Sequence, residues 1–164
     1  MLLFDDRLFR RRYANNSAVA QYRKLWAGRI RGSRRDRTWE FSTCDDGWAY
    51  SYCSFAESPF PTVVFAYDRV KRQYLPATPR FATQLREQIS SDTEAAQKQL
   101  SETGGKDLGV DKCVVLRPVL GLMYSGRFDD GVVLLRRLYQ GADRNTFEPE
   151  TTKRVRESAL WVAR

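Results

Sequence analysis

The residues with the most concentrated chemical potential in this chain are the arginines of its first quarter. Arg10, Arg11 and Arg12 run together, and Arg29, Arg31, Arg34, Arg35 and Arg37 follow in the segment RIRGSRRDR. Residues 1–39 hold eleven Arg or Lys against three acids, which is the whole formal charge of +8, and residues 40–164 are neutral. Only six of the 28 basic residues are Lys, so the anion-binding chemistry is that of guanidinium. A guanidinium is a planar fork that grips phosphate bidentately and stacks on bases. With Tyr13, Tyr22, Trp26 and Trp39 interleaved, the pattern fits the phosphate contacts and stacking of a nucleic-acid binder. It fits a solvated basic face or tail better still, and less well a helix lying on an acidic partner or an anionic membrane surface.

The other chemistry-bearing residues are sparser. Histidine is absent, which removes Ser-His and Cys-His dyads and the usual zinc ligand sets. No cofactor or metal site is read from the sequence. Adjacent carboxylates occur at Asp45-Asp46 and Asp129-Asp130, with Glu148 and Glu150 close together. General acid–base work needs two carboxyls converging across a cleft from different environments. These pairs sit instead at expected turns and helix starts, where acids serve as turn formers and caps. Gly104-Gly105 lacks the preceding strand and the following Lys-Ser/Thr of a phosphate loop. Three cysteines leave at least one free thiol in any intramolecular scheme. Cys44 and Cys53 flank an expected hairpin at different distances from its turn, and are expected to be unpaired. Cys113, beside Val114, Val115 and Leu116, reads as a small buried hydrophobe.

The length of 164 residues fits one domain. Apolar runs are too short to span a bilayer, and the opening MLLFDDRLFRRR does not read as a secretory signal. Two short helices are expected at the N-terminus. The first covers 5–14, with Asp5 and Asp6 in its first turn. The second covers Ala18–Ala27, capped by Asn16 or Ser17 and ended by Gly28. Residues 29–37 read as a charged linker. Alternation predicts strands over 38–43, 48–55 and 62–68, and a short fourth over 73–75. The first two would form a hairpin around Asp45-Asp46-Gly47, leaving Trp48, Tyr50 and Tyr52 on one face as an aromatic platform for a sugar, base or peptide. In a small sheet packed on helices, such a face is more often the core side.

Helices follow over 79–102, with Pro79 at its start, and over 111–124, which Pro118 should kink or break. Another opens at Asp129 or Asp130, and a last one covers Glu150–Val162 after Pro149. The expected fold is thus α+β, a small antiparallel aromatic-rich meander packed on four to five helices. A basic helical arm would occupy 1–37 and a single domain 38–164, divided into a meander (38–78) and a helical part (79–164).

Two resemblances add expectations. Leu116–Tyr139, with LGLMYSGRFDDGVVLLRRLY at its centre, resembles one tetratricopeptide-type helical hairpin. Gly126 stands at its turn and Phe128 at the usual aromatic position. Gly131 replaces the usual small Ala, Pro118 interrupts the first helix, and no second copy follows. The resemblance implies a helical packing unit or a peptide groove. Val63–Phe81 and Leu122–Asp130 look like the C-terminal end of bacterial secreted proteins that carry FG-GAP-type β repeats upstream. That likeness implies an extracytoplasmic protein, periplasmic or secreted, with a non-catalytic role. A cytoplasmic location is expected if the chain starts at Met1.

The leading expectation is a non-enzymatic interaction module, binding another macromolecule through the arm or the aromatic sheet face. The alternative is a nucleic-acid binder led by the arginine arm. A third is a histidine-free enzyme working with carboxylates.

Overall fold

A computed structural model describes residues 28–30 (backbone only), 40–103 and 108–163. The two N-terminal helices expected over 5–14 and 18–27 lie outside the described residues, as do Arg10, Arg11, Arg12, Arg31, Arg34, Arg35, Arg37 and Gly104-Gly105.

The fold is α+β. Four antiparallel strands form a meander in sequence order: β1 (Gly28–Ile30), β2 (Glu40–Cys44), β3 (Thr62–Asp68) and β4 (Gln73–Pro76). Gly28 and Arg29 were expected at a helix end and in a linker. Their backbone pairs instead with Ser42 and Phe41, so the sheet reaches across the boundary drawn at residue 37. Alternation works as expected in β3. Val63 and Phe65 enter the main core, while Val64 and Ala66 on the opposite face pack with Ala77 and Phe81. Phe41 stacks on Phe65 at 4.9 Å and meets Tyr74 at 5.1 Å, a cross-strand ladder of the kind that fixes register. The β3–β4 turn is held by Asp68, whose carboxylate accepts from the backbone N–H of Val70 and Lys71. Pro76 lies on β4, at the edge of the sheet, where no ladder donor is missed.

The helices are α1 (Ala82–Thr103), α2 (Leu108–Tyr124), α3 (Phe128–Leu138) and α4 (Arg144–Glu157). A 3-10 turn containing Pro79 leads into α1. The stretch of α2 from Cys113 to Leu120 is apolar apart from Arg117 and lies between α1 and α3 at the centre of the core. Pro118 neither breaks nor ends α2. A mid-helix proline costs about 3 kcal/mol, and burial of Val115, Leu116, Val119, Leu120 and Met123 outweighs that cost. Gly126 has φ 85°. Its N–H donates to Met123 O and that of Arg127 to Leu122 O, a glycine-dependent helix stop. α3 then folds back against α2, with Asp129 and Asp130 in its first turn.

Three sequence expectations are corrected. The stretch 48–55 is not a strand. It comprises the end of a 3-10 turn (Asp46–Trp48), bends, and the start of a second 3-10 turn (Phe55–Glu57). Its backbone bonds locally: Asp45 captures Gly47 N–H, and Ser58 Oγ captures Tyr50 N–H. β2 therefore pairs with β3 across the whole connection 45–61. Cys113 is buried as expected but is not a simple hydrophobe, because it is bonded to Cys53 with Cα atoms 6.4 Å apart. Cys44 is the free thiol. The last helix begins at Arg144, not Glu150, because Asp143 O takes the N–H groups of Thr146 and Phe147. It ends at Glu157 because Ser158 turns away to bond Asp45.

At Gly131 α3 packs closely on α2. A Cβ there would lie 2.6 Å from Met123 Cγ and 3.1 Å from Val119 O. Gly131→Ala is expected to destabilise the fold by about 1–3 kcal/mol despite its higher helix propensity. Urea unfolding checks this, and a rise in midpoint would contradict it.

Candidate functional site

The connection 45–61 carries the features most suited to function, and its ends and middle are tied to three other elements. Asp45 is buried. Its Oδ1 accepts from Gly47 N–H at 2.9 Å, and its Oδ2 accepts from Tyr124 Oη at 2.5 Å and Ser158 Oγ at 2.7 Å. One carboxylate thus joins β2, α2 and the segment after α4. Burial, and then the Asp45 charge, raises the Tyr124 phenol well above its ordinary value, so it remains a donor. The adjacent Trp48 is 1% exposed. The Arg154 guanidinium lies 4.5 Å from the Trp48 ring and donates to Gly47 O.

The middle of the connection is fixed by Cys53–Cys113 and by Tyr52. The Tyr52 ring meets Phe147 edge-on at 5.3 Å, and its hydroxyl donates to Glu150. The Lys112 ammonium sits 5.1 Å from the Tyr52 ring and 5.0 Å from Phe147, and donates to Asp143 at 2.5 Å. The Asp143 carboxyl is held below its usual range by its hydrogen bonds from Lys112 and Tyr139. Burial, with the bond to Glu150, pushes the Tyr52 phenol up to about 12. This cluster has the form of an aromatic cage, but its cation is the protein's own.

What these ties leave outside is a strip of aromatic rings. Tyr50 is 72% exposed and Phe55 41% exposed. Their rings lie 5.4 Å apart, and Phe55 lies 5.1 Å from Phe60. Tyr50 adopts φ 55°, a left-handed conformation costly for an aromatic residue. Phe60 continues the strip into a cleft of about 210 Å³. One wall of the cleft comes from α1 as Leu85, Gln88, Ile89 and Asp92, spaced i, i+3, i+4, i+7 on one helical face. α2 contributes Gly121 and, at the exposed rim, Arg117. Gly121 lets α1 approach α2 closely beside the cleft, since a Cβ there would stand 3.0 Å from Ile89 Cγ1. Arg117 donates to Glu57 O at 3.0 Å. The Asp92 carboxyl is raised by burial, against the opposing Arg117 charge.

The sequence-derived sites divide accordingly. Trp48, Tyr50 and Tyr52 do not align, because the strand that would align them is absent. Trp48 is core, Tyr52 is half-buried against Phe147, and Tyr50 is exposed. Arg29 is in β1 and the other named arginines lie outside the described residues. Members of each carboxylate pair are held by other side chains: Asp45 as above, Asp130 by Arg127, Glu148 by Arg136 and Glu150 by Tyr52. Among the described residues no three His, Cys, Asp or Glu gather as a metal site. Burial, then the charges of Asp46 and Asp45, raises the Cys44 thiol, which makes it a poor nucleophile.

Phe55, Phe60, Asp92 and Arg117 were not singled out by sequence reasoning. The prolines at 59 and 61 were a usable signal, because they mark a rigid turn beside two phenylalanines.

Asp45→Ala is expected to cost about 3 kcal/mol, since three donors lose one buried acceptor. Tyr124→Phe removes one of those bonds and is expected to cost about 1 kcal/mol. Urea midpoints check both, and equal losses would contradict the shared-acceptor account. Compared with family models, with curated proteins and with solved structures, the chain finds no match.

Proposed function

We propose that this chain is a non-enzymatic interaction module that binds a protein partner through the Tyr50–Phe55–Phe60 strip and the cleft beside it. The observation that carries the reading is the pairing of exposure with fixation. Two exposed aromatic rings, Tyr50 and Phe55, and the half-buried Phe60 beside them are held in contact by a connection that is disulfide-bonded, hydrogen-bonded and partly left-handed. Large exposed apolar groups in contact mark interaction sites more often than scattered ones do. Fixing them beforehand lowers the ordering cost of binding. The Cys53–Cys113 bond favours an oxidising, extracytoplasmic location. No described helix is long and apolar enough to cross a membrane.

A photo-cross-linking residue at position 50, in the full chain expressed in its native host, tests the reading. Position 70 is the control: Val70 is 93% exposed and lies in the turn beyond the far end of β3. A discrete adduct of higher mass is expected from position 50 and not from position 70. Adducts of the same mass from both positions, or from neither, would contradict the proposal. Nucleic-acid binding by the arginine arm is the alternative, and an adduct at position 50 that is lost on nuclease treatment would favour it.

A further inference from the structure

The cleft and strip together specify the form of partner they accept. The cleft, at about 210 Å³, is below the usual range for a small-molecule or cofactor pocket, and suits a single side chain. Its walls are apolar at Phe60, Pro61, Leu85 and Ile89. Its lips carry opposite charges, Asp92 on α1 and Arg117 on α2. The Asp92 carboxylate makes no hydrogen bond or ion pair among the described residues. Arg117 uses one nitrogen on Glu57 O, and a guanidinium has five N–H donors.

A cationic ligand would meet Arg117 and an anionic one would meet Asp92. A peptide unit satisfies both, giving its N–H to the carboxylate and its C=O to the guanidinium. The rings beside the cleft touch one another at tilts of 39° and 58°. They therefore make one continuous apolar strip instead of separate flat stacking faces. Asp92 lines the cleft and Glu57 stands beside it through its bond from Arg117, and these acids disfavour nucleic acid and anionic lipid.

On the reading of the strip as an interaction surface, we infer that it binds an extended peptide with apolar residues at alternate positions, one in the cleft and the next-but-one against Phe55. Extended chain projects side chains i and i+2 to the same side, about 6.6–6.8 Å apart. Phe60, in the cleft wall, is in ring contact with Phe55 at 5.1 Å, so the surface against Phe55 adjoins the cleft and lies within reach of one such step. The polar residue between points away to solvent.

The test uses fluorescence polarisation with the full chain, disulfide intact, and two labelled peptides of identical composition. Ser-Leu-Ser-Phe-Ser-Gly carries the alternate spacing, and Ser-Leu-Phe-Ser-Ser-Gly carries adjacent apolar residues. The alternate peptide is expected to bind saturably and about tenfold more tightly than the adjacent one. Phe55→Ala and Asp92→Ala, both surface changes checked for folding by circular dichroism, are each expected to weaken it about tenfold. No binding of the alternate peptide up to about 1 mM, or binding unchanged by both substitutions, would overturn the inference. Equal binding of the two peptides would also overturn it. An adduct at position 50 alongside that result would show that the interaction surface survives and only the alternate-residue register fails.

Discussion

The structure depends on the clamping of residues 45–61 to the helices. A connection of this length between two paired strands carries many backbone groups that the sheet does not satisfy. Here Asp45 closes the first end against Tyr124 and Ser158, and Cys53–Cys113 pins the middle to the central helix. Arg117 reaches Glu57 O near the far end. For the sequence separation of 60 between the cysteines, a cross-link restricts the unfolded chain by about 4 kcal/mol on the chain-entropy account. The aromatic strip stays exposed because its supports are buried. Trp48, Tyr124, Tyr139 and Phe147 are all at most 1% exposed.

Much of the fold was legible in the sequence. Alternation in Thr62–Asp68 and the Gly126 stop are each set by local sequence, and each appears where expected. Pro118 misleads because propensity is local and the burial of α2 is not. The segment 48–55 misleads for a related reason. Trp48, Tyr50 and Tyr52 alternate in sequence, yet each takes its place from a distant residue: Arg154 for Trp48, Ser58 for the Tyr50 backbone, and Phe147 with Glu150 for Tyr52. No period encodes those contacts.

The candidate site was legible only in part. Tyr50 belonged to a predicted aromatic set, but its working neighbours are Phe55 and Phe60. Asp92 and Arg117 reach one cleft because α1 and α2 lie side by side, a fact of tertiary packing. The Cys53–Cys113 pair could not be chosen from three cysteines by spacing. The separation of Cys44 from Cys53 was foreseen, although by way of a hairpin that does not form.

The account rests on the connection being tied to the central helix, and disulfide mapping tests that tie most directly. The protein would be alkylated without reduction, digested, and its peptides identified by mass. A Cys53 peptide joined to a Cys113 peptide, with Cys44 alone alkylated, is the predicted result. A Cys44–Cys53 link, or three alkylated cysteines in protein made under oxidising conditions, would contradict the account.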